Sequence, residues 1–105
     1  MVSELHLRDG DWLAGHTLEQ LHLANEGVLV LGIEKPNGVY VGAPRGRTRL
    51  EVDDCLILYG RQESLLDLDE RHTGMEGNVN HMLAVTRQMD IVKEEMKGES
   101  AGEDR

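Results

Sequence analysis

At 105 residues the chain has the length of one domain, with a core small enough to gain from a partner. A formal net charge of −9 argues against non-specific binding to nucleic acid or to an anionic membrane, since both need a cationic surface. One cysteine rules out an intrachain disulfide framework and is typical of a reducing compartment. With 3% aromatic residues and no Phe, the core is expected to consist of Val, Leu, Ile and Met.

The first part of the chain predicts a strand followed by a helix. Residues 2–7 alternate apolar and polar side chains, as a half-buried strand does. Thr17 and Gln20 have the spacing of a capping box, and leucines at positions 18, 21 and 23 form an apolar face. The sequence therefore predicts a helix that starts after Thr17 and runs to about Asn25.

Residues 27–60 predict antiparallel hairpins. The apolar run 28–33 is short, bounded by turn residues and predicted to be a buried strand. Lys35-Pro36-Asn37-Gly38 supplies the turn, because Pro fixes φ and Gly accepts a positive φ. A short strand over 39–41 stops before Pro44, residues 47–50 form a third extended piece, and 55–59 form a fourth strand. Cys55 is interpreted as a small core residue rather than a nucleophile.

Two more helices are predicted after Gly60. The first covers residues 63–69. The second covers about 75–96 and carries an apolar stripe, spaced three and four residues apart as in a coiled-coil heptad: Met82, Val85, Met89, Val92 and Met96. This helix could fold back on the domain, pair with another copy or be only marginally stable.

The predicted organisation is a small α+β domain over residues 1–71, a helical extension over 72–97 and a disordered acidic tail over 98–105. No signal peptide and no apolar stretch near the roughly 20 residues of a spanning helix are present, so we expect a soluble chain. Whether Met1 is the native start stays open.

Enzymatic chemistry finds little support in the sequence. No Ser, Thr or Cys lies in a Gly-x-Ser-x-Gly nucleophile elbow, and the glycines match no dinucleotide or phosphate-binding spacing. His72 and Glu76 are four residues apart and could share a helix face as metal ligands, but Thr73-Gly74 between them weakens that helix. We expect neither catalysis nor a metal.

One series of residues carries a family resemblance. It runs from the strand at 28–33 through Pro36-Asn37-Gly38, a short strand, Ala43-Pro44 and Thr48-Arg49-Leu50-Glu51, to Leu56-Ile57-Leu58-Tyr59-Gly60-Arg61. In order and spacing it resembles the C-terminal domain of TrkA-type regulators of potassium conductance, called TrkA-C or RCK-C. The similarity extends from about residue 2 to residue 68 and implies a strand, a helix and antiparallel hairpins.

The resemblance also implies a function. Such a domain is a non-catalytic regulator of potassium or other monovalent cation transport, which forms a homodimer and gates an attached membrane part. That part is a transporter or channel subunit, in the same full-length chain or in a partner, which places the domain on the cytoplasmic side and tethers it to the inner membrane. The alternative is a free-standing oligomerisation module that assembles through its C-terminal helix without a ligand.

Some members of the family resemble receptors for small effectors, including cyclic di-AMP, bound at the dimer interface; no other cofactor is expected. The ligand-binding positions that the resemblance implies here are His22, Ala24, Asn25, Val28, Ile33, Ala43, Pro44, Arg45 and Arg47. Effector-binding members tend to carry an Asp-Ile-Arg-like stretch where this chain has His22-Leu23-Ala24. A phosphate clamp would therefore have to come from Arg45 or Arg47.

Overall fold

The computed structural model describes the backbone of residues 1–103 and the side chains of residues 1–97. This part of the chain contains the strands β1 (Val2–His6), β2 (Leu29–Glu34), β3 (Tyr40–Gly42) and β4 (Cys55–Tyr59). It also contains the α-helices α1 (Leu18–Leu21), α2 (Gln62–Glu70) and α3 (Met75–Glu103), and a 3₁₀ helix (Leu23–Glu26) after α1. The predicted α+β class is confirmed.

The strands form one antiparallel sheet in the order β1-β4-β2-β3. The predicted turn at Lys35 is present: the Gly38 N–H donates to the Lys35 carbonyl at 2.9 Å, and Gly38 has a φ of 87°. A bulge between Val30 and Gly32 breaks the register of β2. At this bulge the Tyr40 hydroxyl lies where a Cβ on Gly32 would be, so a side chain at position 32 would have to displace the Tyr40 ring.

The core lies between the inner face of the sheet and the helices. Its sheet residues include Leu5, Ile33, Leu56 and Leu58, its helical residues Leu21, Leu65 and Leu68, and Trp12 contributes a ring from a turn. The prediction that methionine contributes to the core is wrong, because all five methionines are exposed: Met1, Met75, Met82, Met89 and Met96. Leucine, with its better-defined rotamers, fills this interior instead.

The first helix is shorter than predicted. The capping box is confirmed: the Gln20 N–H donates to Thr17 Oγ1 at 3.2 Å and the Thr17 N–H to Gln20 Oε1 at 2.9 Å. His22 then adopts a left-handed conformation (φ 49°, ψ 44°), which ends α1 and starts the 3₁₀ helix. The break buries Leu23 and Glu26 and leaves Ala24 and Asn25 exposed.

The predicted third extended piece at 47–50 is not a strand. Only an isolated bridge joins Arg49 to Thr17, because this segment bonds to the start of α1 instead of joining the sheet. The Leu18 N–H donates to the Thr48 carbonyl at 3.0 Å, and the Glu19 N–H to the Gly46 carbonyl at 2.8 Å. These bonds satisfy donors that the first turn of a helix leaves free.

Helix α3 packs on the domain along its first half. Ala84 is buried, Trp12 Nε1 donates to Asn78 Oδ1 at 3.0 Å, and Arg61 donates to Gln88. The helix extends to Glu103, past the predicted start of a disordered tail at Gly98, although Gly98 and Gly102 are weak helix formers; residues 104 and 105 of that tail lie outside the described part. Within residues 1–103, no helix is both long and apolar enough to cross a bilayer.

Candidate functional site

An open cleft of about 620 Å³ separates the end of α1 from the loop that follows β3. Predicted ligand-binding residues from both segments line it: His22, Ala24, Pro44, Arg45 and Arg47. The left-handed turn at His22 places this exposed side chain at the cleft. The volume of the cleft lies within the range of roughly 300–1,000 Å³ that is typical of small-molecule sites.

Backbone hydrogen bonds hold the arginine-bearing loop against α1. The two bonds from Leu18 and Glu19 anchor it at Thr48 and Gly46, and the Thr48 N–H donates to the Arg45 carbonyl at 2.9 Å. Gly46 approaches so closely that an added Cβ would lie 3.3 Å from the Cβ of Glu19. Arg45 and Arg47 therefore project from a fixed backbone, although both side chains are exposed.

The cleft carries charge of both signs. Arg45 and Arg47 lie on one wall, and Glu19 lies on the other. Guanidinium groups form strong, often bidentate hydrogen bonds with phosphate and carboxylate, so the arginine wall suits an anion. The negative charge of Glu19 on the opposite wall disfavours an anion in the cleft. Glu19 was not among the predicted ligand-binding residues; its position two residues after the helix cap Thr17 was the signal that could have placed it beside His22.

The other implied ligand-binding residues lie elsewhere. Val28 and Ile33 belong to the core, where they are 2% and 0% exposed, so neither side chain reaches the cleft. Ala43 is exposed and has a φ of 49°, in the strained turn that leads into Pro44. Asn25 faces away, into a groove shared with α3.

This second concavity lies between the 3₁₀ helix and α3 and has a volume of about 540 Å³. Ala24 and Asn25 form one side, and the other side comes from α3 with Val85, Gln88, Met89, Val92 and Lys93. Ala24 lines both the cleft and this groove, so the two are neighbours along the 3₁₀ helix.

A buried ionic cluster fastens α3 near the groove. The Arg71 guanidinium donates to both carboxylate oxygens of Glu26 and to Asp67 Oδ2, while His81 Nδ1 lies 2.5 Å from Glu26 Oε2. Burial alone would lower the pKa of Arg71, but its hydrogen bonds with Glu26 and Asp67 outweigh burial and raise that pKa. Arg71 also lies 4.7 Å from the centre of the Trp12 ring, a cation–π contact. Asp67 and Arg71 are one helical turn apart, but Trp12, Glu26 and His81 are far from them in sequence, so no local pattern indicated that these residues would meet.

The described residues do not bring together three or more His, Cys, Asp or Glu side chains in a way that could hold a metal ion. Burial, followed by the charges of Glu4 and Glu34, raises the pKa of the Cys55 thiol. A raised pKa keeps the thiol protonated and weakens it as a nucleophile.

The fold resembles solved RCK_C domains. The RCK_C domain dimer of S. agalactiae BusR, in complex with c-di-AMP, shares 15% identity at a TM-score of 0.56 and aligns over 62% of this chain and 80% of its own. The RCK C domain of the potassium transport protein KtrA, in complex with c-di-AMP, shares 23% identity at a TM-score of 0.58 and aligns over 66% of this chain and 79% of its own. At these identities the likeness shows the fold alone.

A larger relative is the GsuK channel bound to NAD, which shares 27% identity at a TM-score of 0.54. The match covers 66% of this chain but 13% of the channel, so the chain corresponds to a small part of that protein. A comparison with curated proteins found no significant match. The TrkA-C domain model matches residues 2–72, which include every strand, α1, the 3₁₀ helix and α2. The chain therefore belongs to the TrkA-C domain family, a family of regulatory domains of potassium transport systems.

Proposed function

We propose that this chain is a non-catalytic regulatory domain that binds a small anionic effector in the cleft between α1 and the loop after β3. The observation that carries the proposal is the pair Arg45 and Arg47, held on a hydrogen-bonded loop opposite the exposed His22. Two guanidiniums facing one small-molecule-sized cleft form a site for a phosphate-bearing ligand.

Cyclic di-AMP is the first effector to test. Two solved domains of similar fold, from BusR and KtrA, were determined in complex with it. Its two phosphates suit an arginine pair, and its bases suit the apolar walls formed by Leu18, Ala24 and Pro44. The missing Asp-Ile-Arg-like stretch makes Arg45 and Arg47 the phosphate contacts in this proposal.

The effector would act on an attached cation transporter or channel on the cytoplasmic side of the membrane, with the domain working as a homodimer. A ligand shifts a conformational equilibrium only if it binds the two states with different affinity. The effector would therefore have to bind the cleft in one conformational state of the homodimer more tightly than in the other.

A thermal-shift screen against cyclic dinucleotides, adenine nucleotides, and monovalent and divalent cations tests the proposal. A ligand that binds only the folded protein raises its apparent stability by mass action. We expect a shift with a cyclic dinucleotide that disappears in Arg45→Ala/Arg47→Ala. If no compound shifts the melting temperature, or if the shift survives the double substitution, the proposed site is wrong.

A further inference from the structure

The apolar stripe of α3 is not the face that packs on the domain. The domain-facing residues are Gly77, His81, Ala84 and Gln88, which contact Trp12, Glu26, the core and Arg61. The stripe (Met82, Val85, Met89, Val92 and Met96) lies beside this face, and its methionines are 68%, 55% and 62% exposed in chain order. Helix α3 therefore has one face in use and, beside it, a second apolar face that is exposed except at Val85, which is partly buried at the groove.

The uncovered stripe extends beyond the domain. The ordered polar contacts of α3 with the rest of the chain come from Asn78, His81 and Gln88, and from Val92 to Lys97 every described residue is exposed. A helix of 29 residues is about 43 Å long, in a molecule measuring 55 × 30 × 23 Å. Helices gain most of their stability from packing an amphipathic face, so this half of α3 needs a partner surface.

The spacing of the stripe suits pairing with an equivalent helix. Alternate steps of three and four residues place all of the stripe on the seam positions of a heptad, where each residue fills a hole on an equivalent helix. In a parallel pair, Gln88 and Lys93 flank the seam and face each other across it, so no like charges meet there. The chain has a net charge of −9, so two copies repel each other over most of their surfaces. The stripe contains no acidic residue, and pairing through it therefore brings few negative charges together.

We infer that α3 pairs with α3 of a second copy of this chain through the stripe, with Met89 and Val92 at the centre of the contact. This surface lies outside residues 2–72, the part matched by the family model, and it does not depend on a ligand in the cleft. Because Ala24 borders both concavities, the pairing also brings the two clefts of a dimer toward the same seam.

The test is the mass of the full chain by light scattering or sedimentation equilibrium over a range of concentrations. Met89→Glu should raise the dissociation constant by about tenfold or more, because it places a carboxylate pair in an apolar seam. Leu83→Glu is the matched control, since Leu83 is 58% exposed on the same helix but off the stripe, and it should leave the mass unchanged. A wild-type chain that stays monomeric, or equal effects of both substitutions, overturns the inference.

Oxidative cross-linking gives a second readout that needs no disruptive substitution. In a Cys55→Ser background, Met89→Cys should form a disulfide-linked dimer, and Leu83→Cys should not. Cross-linking that is absent at position 89, or equally efficient at both positions, contradicts the pairing. Titration of cyclic di-AMP into Met89→Glu separates the two proposals, because loss of pairing and loss of ligand binding are then measured independently.

Discussion

The guanidinium of Arg71 forms two hydrogen bonds with the carboxylate of Glu26, at 2.9 and 2.7 Å, and both side chains are almost completely buried. Arg71 lies at the end of α2, and Glu26 lies at the end of the 3₁₀ helix. His81 of α3 shares the same carboxylate. One buried acid therefore joins three segments, including the 3₁₀ helix that borders both the cleft and the groove.

Replacing Arg71 should be the most damaging single change in this cluster. Arg71→Ala leaves Glu26 buried beside Asp67 without its cation, and breaking a buried pair in this way costs about 3–5 kcal/mol. Urea unfolding measures the loss. The control is Arg8→Ala, because Arg8 has an exposed pair with Asp69 at 3.8 Å and should lose no more than about 1 kcal/mol. Similar losses for both variants would contradict the role given to the cluster.

Gly77 should tolerate no side chain. A Cβ at this position would lie 2.5 Å from Trp12 Cδ1 and would also collide with the His72 carbonyl oxygen. Gly77→Ala gains about 1 kcal/mol of helix propensity, but we expect a net loss of about 1–3 kcal/mol from overpacking. Urea unfolding followed by Trp12 fluorescence reports on this contact. Thr86→Ala, on the exposed side of α3, is the control and should not destabilise; a Gly77→Ala chain as stable as that control would refute the packing.

Titration of Cys55 should lower the free energy of unfolding at alkaline pH. Its pKa is raised from 9.0 by burial and by Glu4 and Glu34, so the folded chain holds this proton more tightly than the unfolded chain. That contribution is fully present below pH 9 and is lost as the pH rises through the folded pKa. The difference between wild type and Cys55→Ala, measured by urea unfolding from pH 8 to 10.5, isolates it from other groups. A difference that stays constant or grows in favour of wild type would be contrary to expectation.

Glu19 should weaken the binding of an anion in the cleft. Glu19→Gln removes the carboxylate opposite Arg45 and Arg47 without changing the shape of the wall. An exposed charge is worth roughly 0.2–1 kcal/mol, so we expect affinity to increase by up to about fivefold in a calorimetric titration with cyclic di-AMP. Glu63→Gln, at an exposed position on α2, is the matched control and should have no effect. An unchanged or lower affinity in Glu19→Gln would show that the ligand lies elsewhere.

Local patterns predicted most of the fold. The capping box at Thr17, the turn at Lys35 and the strand at Cys55–Tyr59 each depend on neighbouring residues, so the sequence alone was sufficient. What it could not give were features that depend on distant contacts. The left-handed conformation of His22 accompanies the burial of Leu23 and Glu26, and the segment 47–50 bonds to α1 instead of joining the sheet.

The candidate site divides in the same way. Arg45, Arg47 and His22 could be chosen from the resemblance because their segments lie close in the fold, and the cleft contains them. Val28 and Ile33 share that part of the chain but point into the core, a direction set by strand register and by the bulge in β2. The stripe of α3 could be predicted from its spacing. The face of α3 that packs on the domain, with Gly77 and His81, has no periodic apolar pattern and could not be predicted in this way.

The most direct test of the central claim is a calorimetric titration of cyclic di-AMP into the wild-type chain, Arg45→Ala/Arg47→Ala and Arg8→Ala/Arg87→Ala. The last variant removes two exposed arginines outside the cleft and matches the charge change. We expect saturable binding to wild type and to Arg8→Ala/Arg87→Ala, and binding weakened by about tenfold or more in Arg45→Ala/Arg47→Ala. Binding of equal strength in all three proteins, or in none of them, would show that the cleft is not the effector site.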